Sequence, residues 1–255
     1  MGDLMVNPDA PRTRFVILAA PRTGSNMLCT LLDSHPEIRC HHEIFNPSGI
    51  FRALPLRDSS AELGTVAERD RQPLVFLDRF WRSDVDCRCI GFKMTRDQNE
   101  EVLRAVLADR GVFKIVLKRR NRLRTYVSER IAALTGQWEV YRATDLVRER
   151  PKIFVDLADW RRHIAVNAAC YDRIDNDLAA SGQSFAAVVY ERLLEKEEQQ
   201  RLLEFLGVSP QTDVLRITSV RQNAANLSEL IANYVQLEES LLKSDLAPEL
   251  HDASI

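Results

Sequence analysis

The chain has 255 residues, 45% of them hydrophobic, which suffices for a large buried core and is ordinary for a globular protein. Its formal net charge of -2 excludes a partner drawn by overall charge, so any basic site has to be local. No apolar run approaches the ~20 residues that cross a bilayer, and the first residues carry no basic segment followed by an apolar core, so a cytoplasmic protein with no integral membrane segment is expected.

Residues 1–13 are polar, contain two prolines and read as a flexible arm ahead of a single domain that runs to residue 255. The apolar run Phe15-Val16-Ile17-Leu18-Ala19-Ala20 predicts a buried strand over 14–20, and Met27, Leu28, Leu31 and Leu32 at helical spacing predict a helix from Ser25 to Ser34. His35-Pro36 stops it, because Pro disfavours helical geometry in the residue before it. A short strand over 38–40 leads into His41-His42-Glu43. Residues 46–86 are mixed, with short helices. Strand 88–95, an amphipathic helix over 99–109 and strand 112–118 follow, then a helix over 122–134. Residues 136–156 are irregular. A long helix over 157–178, strand 185–190, a helix over 195–206 ended by Gly207, and a helical stretch over 226–242 complete the chain. Strands alternating with helices imply a mostly parallel sheet with helices on both faces, and such sheets bind ligands at the carboxyl ends of their strands.

Two loops lie at those ends. The first, Arg22-Thr23-Gly24-Ser25-Asn26-Met27, joins a strand to a helix, whose first N–H groups are unpaired and whose dipole favours an anion there. It has no Lys and only one Gly, so it is not the Walker A phosphate loop. The second, Lys118 to Arg124, sets five cations at a helix start, a conflict with the dipole that a bound anion would relieve. No interleaved aromatics accompany them, which disfavours nucleic acid. Two anion sites on strand ends suit a ligand with two separated phosphate-like groups. The five cysteines are scattered, and Cys87-Arg88-Cys89 lacks the two-residue spacing of redox and zinc motifs, so free thiols are expected.

Pro21-Arg22-Thr23-Gly24-Ser25-Asn26-Met27-Leu28 resembles the 5′-phosphosulfate loop of sulfotransferases that use 3′-phosphoadenosine 5′-phosphosulfate (PAPS). Arg120 and Ser128, eight residues apart after the later strand, resemble the family's 3′-phosphate motif. His35-Pro36-Glu37-Ile38, Ile90-Gly91-Phe92-Lys93-Met94, Tyr190-Glu191-Arg192-Leu193, Phe205-Leu206-Gly207-Val208 and the segment Leu227 to Tyr234 are similar to recurrent family segments, most of all those of bacterial carbohydrate sulfotransferases.

The resemblance implies a P-loop-like three-layer α/β fold and transfer of a sulfuryl group from PAPS to an acceptor hydroxyl, on a carbohydrate or glycolipid, with no metal. It implies that Arg22, Thr23, Gly24, Ser25, Asn26 and Met27 hold the 5′-phosphosulfate, that Arg120 and Ser128 take the 3′-phosphate, and that Arg221 closes over the nucleotide. Arg22 stands where the family has Lys and cannot readily donate a proton. Glu43 is the expected base, with His42 and then His41 behind it. Adjacent histidines lack the helical spacing of a zinc motif. Lys93 is expected to be a strand-end side chain reaching solvent, with a place in the cleft as the alternative. Trp81, Trp138 and Trp160 are weighed as a sugar platform against the core. A Mg²⁺-dependent nucleotide or small-molecule kinase, and a catalytically silent nucleotide-binding module, are the other readings. The sequence names neither the acceptor nor the oligomeric state.

Overall fold

The computed structural model describes residues 12–57, 63–84, 86–147, 149–224 and 226–250, so most of the arm expected over 1–13 lies outside it. In chain order the elements are β1 (Thr13–Ala19), α1 (Ser25–Asp33), β2 (Ile38–His41), α2 (Val66–Arg71), α3 (Pro73–Trp81), β3 (Cys89–Thr95), α4 (Glu100–Ala108), β4 (Val112–Lys118), α5 (Arg122–Thr135), α6 (Leu157–Ser181), β5 (Phe185–Val189), α7 (Lys196–Leu206) and α8 (Tyr234–Leu241), with short 3₁₀ turns between. The five strands form one parallel sheet in the order β2-β3-β1-β4-β5.

β1 lies at the centre and is buried on both faces, which explains its unbroken apolar run. Successive side chains alternate between the faces. Phe15, Ile17 and Ala19 pack with Leu28, Leu31 and Leu32 of α1 and with Leu202, Leu203 and Leu206 of α7. Val16 and Leu18 pack with Phe76 and Phe80 of α3, Val102 and Val106 of α4, and Ile174 and Leu178 of α6. This is the three-layer α/β fold of the sequence reading.

A third core joins α5 to the C-terminal segment: Leu123, Val127 and Ile131 pack with Trp160, Leu227, Ile231, Leu237 and Leu241. It carries residues 219–223 across the ends of β1 and β4. The helix expected over 226–242 is broken here. A 3₁₀ turn occupies Leu227–Glu229, then Ile153 N–H donates to Leu230 O at 2.8 Å and Ala232 N–H to Ile153 O at 2.9 Å. That strand-like pairing uses the backbone groups a continuous helix would need, so α8 starts only at Tyr234.

Helix limits follow local chemistry. Asn99, Asn121 and Asp156 accept first-turn N–H groups of α4, α5 and α6, and α7 ends at Gly207 in the left-handed region. All five cysteines are free.

Candidate active site

A cleft of about 1040 Å³ opens at the carboxyl ends of β1, β3 and β4. The loop after β1 forms its floor. Gly24 has φ +95° and caps α1 with no side-chain hydrogen bond, and Leu28 N–H donates to Gly24 O at 3.1 Å as the helix begins. Tyr190 packs on the bare face of Gly24: a Cβ there would lie 2.1 Å from the ring. The first-turn amides of α1 therefore face the cleft uncapped by any side chain, the arrangement that binds anions.

Cations surround this cradle. Arg22, itself at φ 63°, donates from Nε to Ser128 Oγ at 2.9 Å, from Nη2 to Gln222 Oε1 at 3.1 Å and from Nη1 to Trp138 O. It thus ties the loop after β1 to α5, to the segment after α5 and to the C-terminal segment. Burial, then the nearby Arg150 and Arg119 charges, lower its pKa to about 10, which leaves it a cation at neutral pH. Asn223 Nδ2 also donates to Ser128 Oγ, at 3.0 Å, and Asn223 Oδ1 accepts from Arg150 at 2.9 Å. Arg119 lies over the Tyr190 ring, 4.4 Å from its centroid, and both line the cleft with Arg124 and Arg221.

The opposite wall carries the carboxylate. Glu43 Oε1 is 2.8 Å from Lys93 Nζ, and Oε2 accepts from Asn46 at 2.5 Å and Gln98 at 2.7 Å. Burial pushes this carboxyl upward, but the Lys93 charge and the three hydrogen bonds outweigh it, so Glu43 sits below its ordinary value and is ionised at neutral pH. Its neighbour His42 lines the cleft with Nδ1 3.3 Å from Tyr141 Oη, while Tyr141 donates to Glu139 at 2.8 Å and Arg57 pairs with Glu139. Burial first, then the charges of Lys93 and Arg57, push His42 well below its ordinary range, so it is neutral.

The fold brings Arg22, Gly24, Ser25, Asn26, Met27, His42, Glu43, Ser128 and Arg221 to one cleft. Thr23 is buried beside it, donating to Ala20 O at 2.8 Å. Arg120 is not brought there. It is exposed, its N–H bonded to Glu191, and Arg119, one residue earlier on the opposite side of the chain, faces the cleft. His41 points away, against Asp84 at 2.9 Å. Lys93 departs from the solvent-reaching side chain the sequence favours: it is 4% exposed and lies inside the cleft. Its place in the middle of the buried run Ile90 to Met94 was the available signal. Trp81 and Trp160 are core residues, whereas Trp138 is exposed and lines the cleft.

Gln222, Asn223, Arg57 and Glu139 enter only through tertiary contact, and no local pattern marks them; Tyr190 opens a segment similar to the family's, but nothing in the sequence places it against Gly24. Among the described residues no group of three or more His, Cys, Asp or Glu could hold a metal ion, and no helix is long and apolar enough to cross a membrane.

A parallel α/β sheet with an uncapped, glycine-started loop after its central strand and a carboxylate across the cleft is an arrangement suited to holding an anionic ligand. No family model matches the chain. It is 26% identical over 246 residues to nodulation protein H of Rhizobium tropici, covering 94% of each chain, and 24% identical over 238 residues to nodulation protein H of Rhizobium meliloti (strain 1021), covering 91% of this chain and 93% of the relative. Its fold matches a sulfotransferase from Alicyclobacillus acidocaldarius with a TM-score of 0.50 at 18% identity, over 95% of this chain and 100% of that one. The chain is thus similar in sequence to two nodulation H proteins and in fold to a solved sulfotransferase.

Proposed function

We propose that the protein transfers the sulfuryl group of PAPS to a hydroxyl of a carbohydrate or glycolipid acceptor. The observation that carries this reading is the meeting, in one cleft, of an uncapped helix N-terminus, a ring of arginines and an ionised carboxylate. In this reading the amides of residues 24–27 hold the 5′-phosphate, and Arg22 lies beside the phosphosulfate bridge. Ser128 takes the 3′-phosphate together with the cleft-facing Arg119 and Arg124, in place of the Arg120 that the resemblance implies. Arg221 lies over the nucleotide.

The reaction is an in-line displacement. Glu43 accepts the proton of the acceptor hydroxyl, the hydroxyl oxygen bonds to sulfur, and the bond from sulfur to the bridging oxygen breaks. Its electron pair remains on the 5′-phosphate of 3′-phosphoadenosine 5′-phosphate (PAP). The charge that builds on that oxygen is met by preorganised amides and by Arg22, and such electrostatic stabilisation supplies most of the catalysis in this kind of transfer. Arg22 stays protonated, so it stabilises the leaving group as a cation rather than as an acid. His42, neutral beside Glu43, is suited to hydrogen-bonding the acceptor.

The reading predicts that Glu43→Gln lowers turnover with PAPS by about 10²-fold or more while PAP affinity falls by no more than about threefold, because a general base acts only on the chemical step. Calorimetry with PAP and a ³⁵S transfer assay on candidate oligosaccharides check both halves. Full activity of Glu43→Gln contradicts the assignment of the base.

A further inference from the structure

Lys93 touches both halves of the cleft. Its Nζ is 2.8 Å from Glu43 Oε1, donates to Asn26 Oδ1 and stands 3.5 Å from Ser25 Oγ. Ser25 and Asn26 open α1, so one ammonium borders the anion cradle and the carboxylate together. The backbone of Lys93 is fixed, because β3 is paired on both sides, with Ile17 opposite Lys93 and Phe92 opposite His41. Only its side chain can redistribute between the two partners.

Glu43 is heavily engaged in this arrangement. A carboxylate has about four lone-pair sites. Lys93 takes one on Oε1, and Asn46 and Gln98 take the two of Oε2. The remaining site lies on the oxygen that the ammonium already neutralises. A base held this way accepts a proton poorly.

Resting on the reading above, we propose that Lys93 is a positioning residue that couples nucleotide binding to the base. Without nucleotide its ammonium is held on Glu43. The 5′-phosphosulfate of the donor, seated at the start of α1, carries two negative charges against the one of a carboxylate, as the 5′-phosphate of PAP does when fully ionised, and draws the ammonium toward Ser25 and Asn26. Oε1 of Glu43 is then released to take the acceptor's proton. Coupling of this kind is reciprocal, so nucleotide binding makes Glu43 hold a proton more tightly, and protons are taken up as the nucleotide binds. The acceptor hydroxyl thus meets an effective base only when the sulfuryl donor is in place, which favours nucleotide binding before acceptor.

The test uses PAP, which lacks the sulfuryl group. Titrating the protein with PAP at about pH 5.5 in two buffers of different ionisation enthalpy counts the protons taken up. The nucleotide's own phosphates titrate near this range, and Glu43→Gln measures that background. The wild type is expected to take up more protons than Glu43→Gln, and a crystal structure with PAP is expected to show Lys93 Nζ more than about 4 Å from Glu43 Oε1, beyond ion-pair range. Equal uptake by the two proteins, or a Lys93–Glu43 contact unchanged with PAP in the cradle, overturns the coupling while leaving the sulfotransferase reading intact. Failure of both proteins to bind PAP overturns that reading and the coupling with it.

Discussion

At Gly24 the backbone adopts φ +95°, a region L side chains rarely enter, and the Tyr190 ring occupies the space a Cβ would fill. Both constraints act on the turn that aims the α1 amides. Gly24→Ala is therefore expected to cost about 1–3 kcal/mol of stability through strain, measured by urea unfolding, and to weaken PAP binding by at least tenfold. Unchanged affinity would mean that the amides of residues 24–27 are not the phosphate cradle. This residue was visible in the sequence as a lone glycine between a strand and a helix, but its partner was not, because Tyr190 lies more than 160 residues away in the chain. The same limit explains Lys93 and Arg119. The apolar run Ile90 to Met94 hints that Lys93 is buried but not that its partner is the carboxylate after β2, and a basic run does not say which of its members turns inward.

At the scale of elements, the five strands and the helices between them were legible because periodicity and capping residues are local properties. The C-terminal helix was misjudged where Ile153 pairs with Leu230 and Ala232, a contact that no window around residue 230 contains. One clamp between elements yields a pH prediction. Asp84 Oδ2 lies 2.9 Å from His41 Nε2 at the end of β2, and Oδ1 accepts from Arg52 at 3.0 Å, tying the strand that leads to Glu43 onto the segment after α3. Burial pushes the Asp84 carboxyl upward, but the adjacent His41 and the Arg52 charge outweigh it and bring it to about 2, against 3.8 when unperturbed. Burial keeps His41 neutral at neutral pH, so Arg52 is the charged partner there. A folded pKa below the unfolded one gives stability that is present above about pH 4 and lost as pH falls toward 2. A depression of this size corresponds to about 2 kcal/mol. Asp84→Asn is expected to lose roughly that amount at pH 7 and to approach the wild type near pH 2, measured by urea unfolding at both values. A constant difference across the range would show that Asp84 acts by packing alone.

For the molecule as a whole, the central claim is that two loops at the ends of β1 and β4 hold the two phosphate groups of one nucleotide. Arg22 already spans them through Ser128, and the C-terminal segment, folded back onto α5, reaches both through Gln222 and Asn223. The loops and their order along the chain were readable in the sequence, whereas the closing wall was not, since it depends on the third core bringing residues 219–223 across the sheet. The most direct measurement is calorimetry of PAP, adenosine 5′-monophosphate and ATP, each with and without Mg²⁺. The account predicts tight, metal-independent binding of PAP, with adenosine 5′-monophosphate weaker by at least tenfold because it leaves the β4 loop empty. Preference for ATP with Mg²⁺, or equal affinity for the two adenosine phosphates, would contradict it.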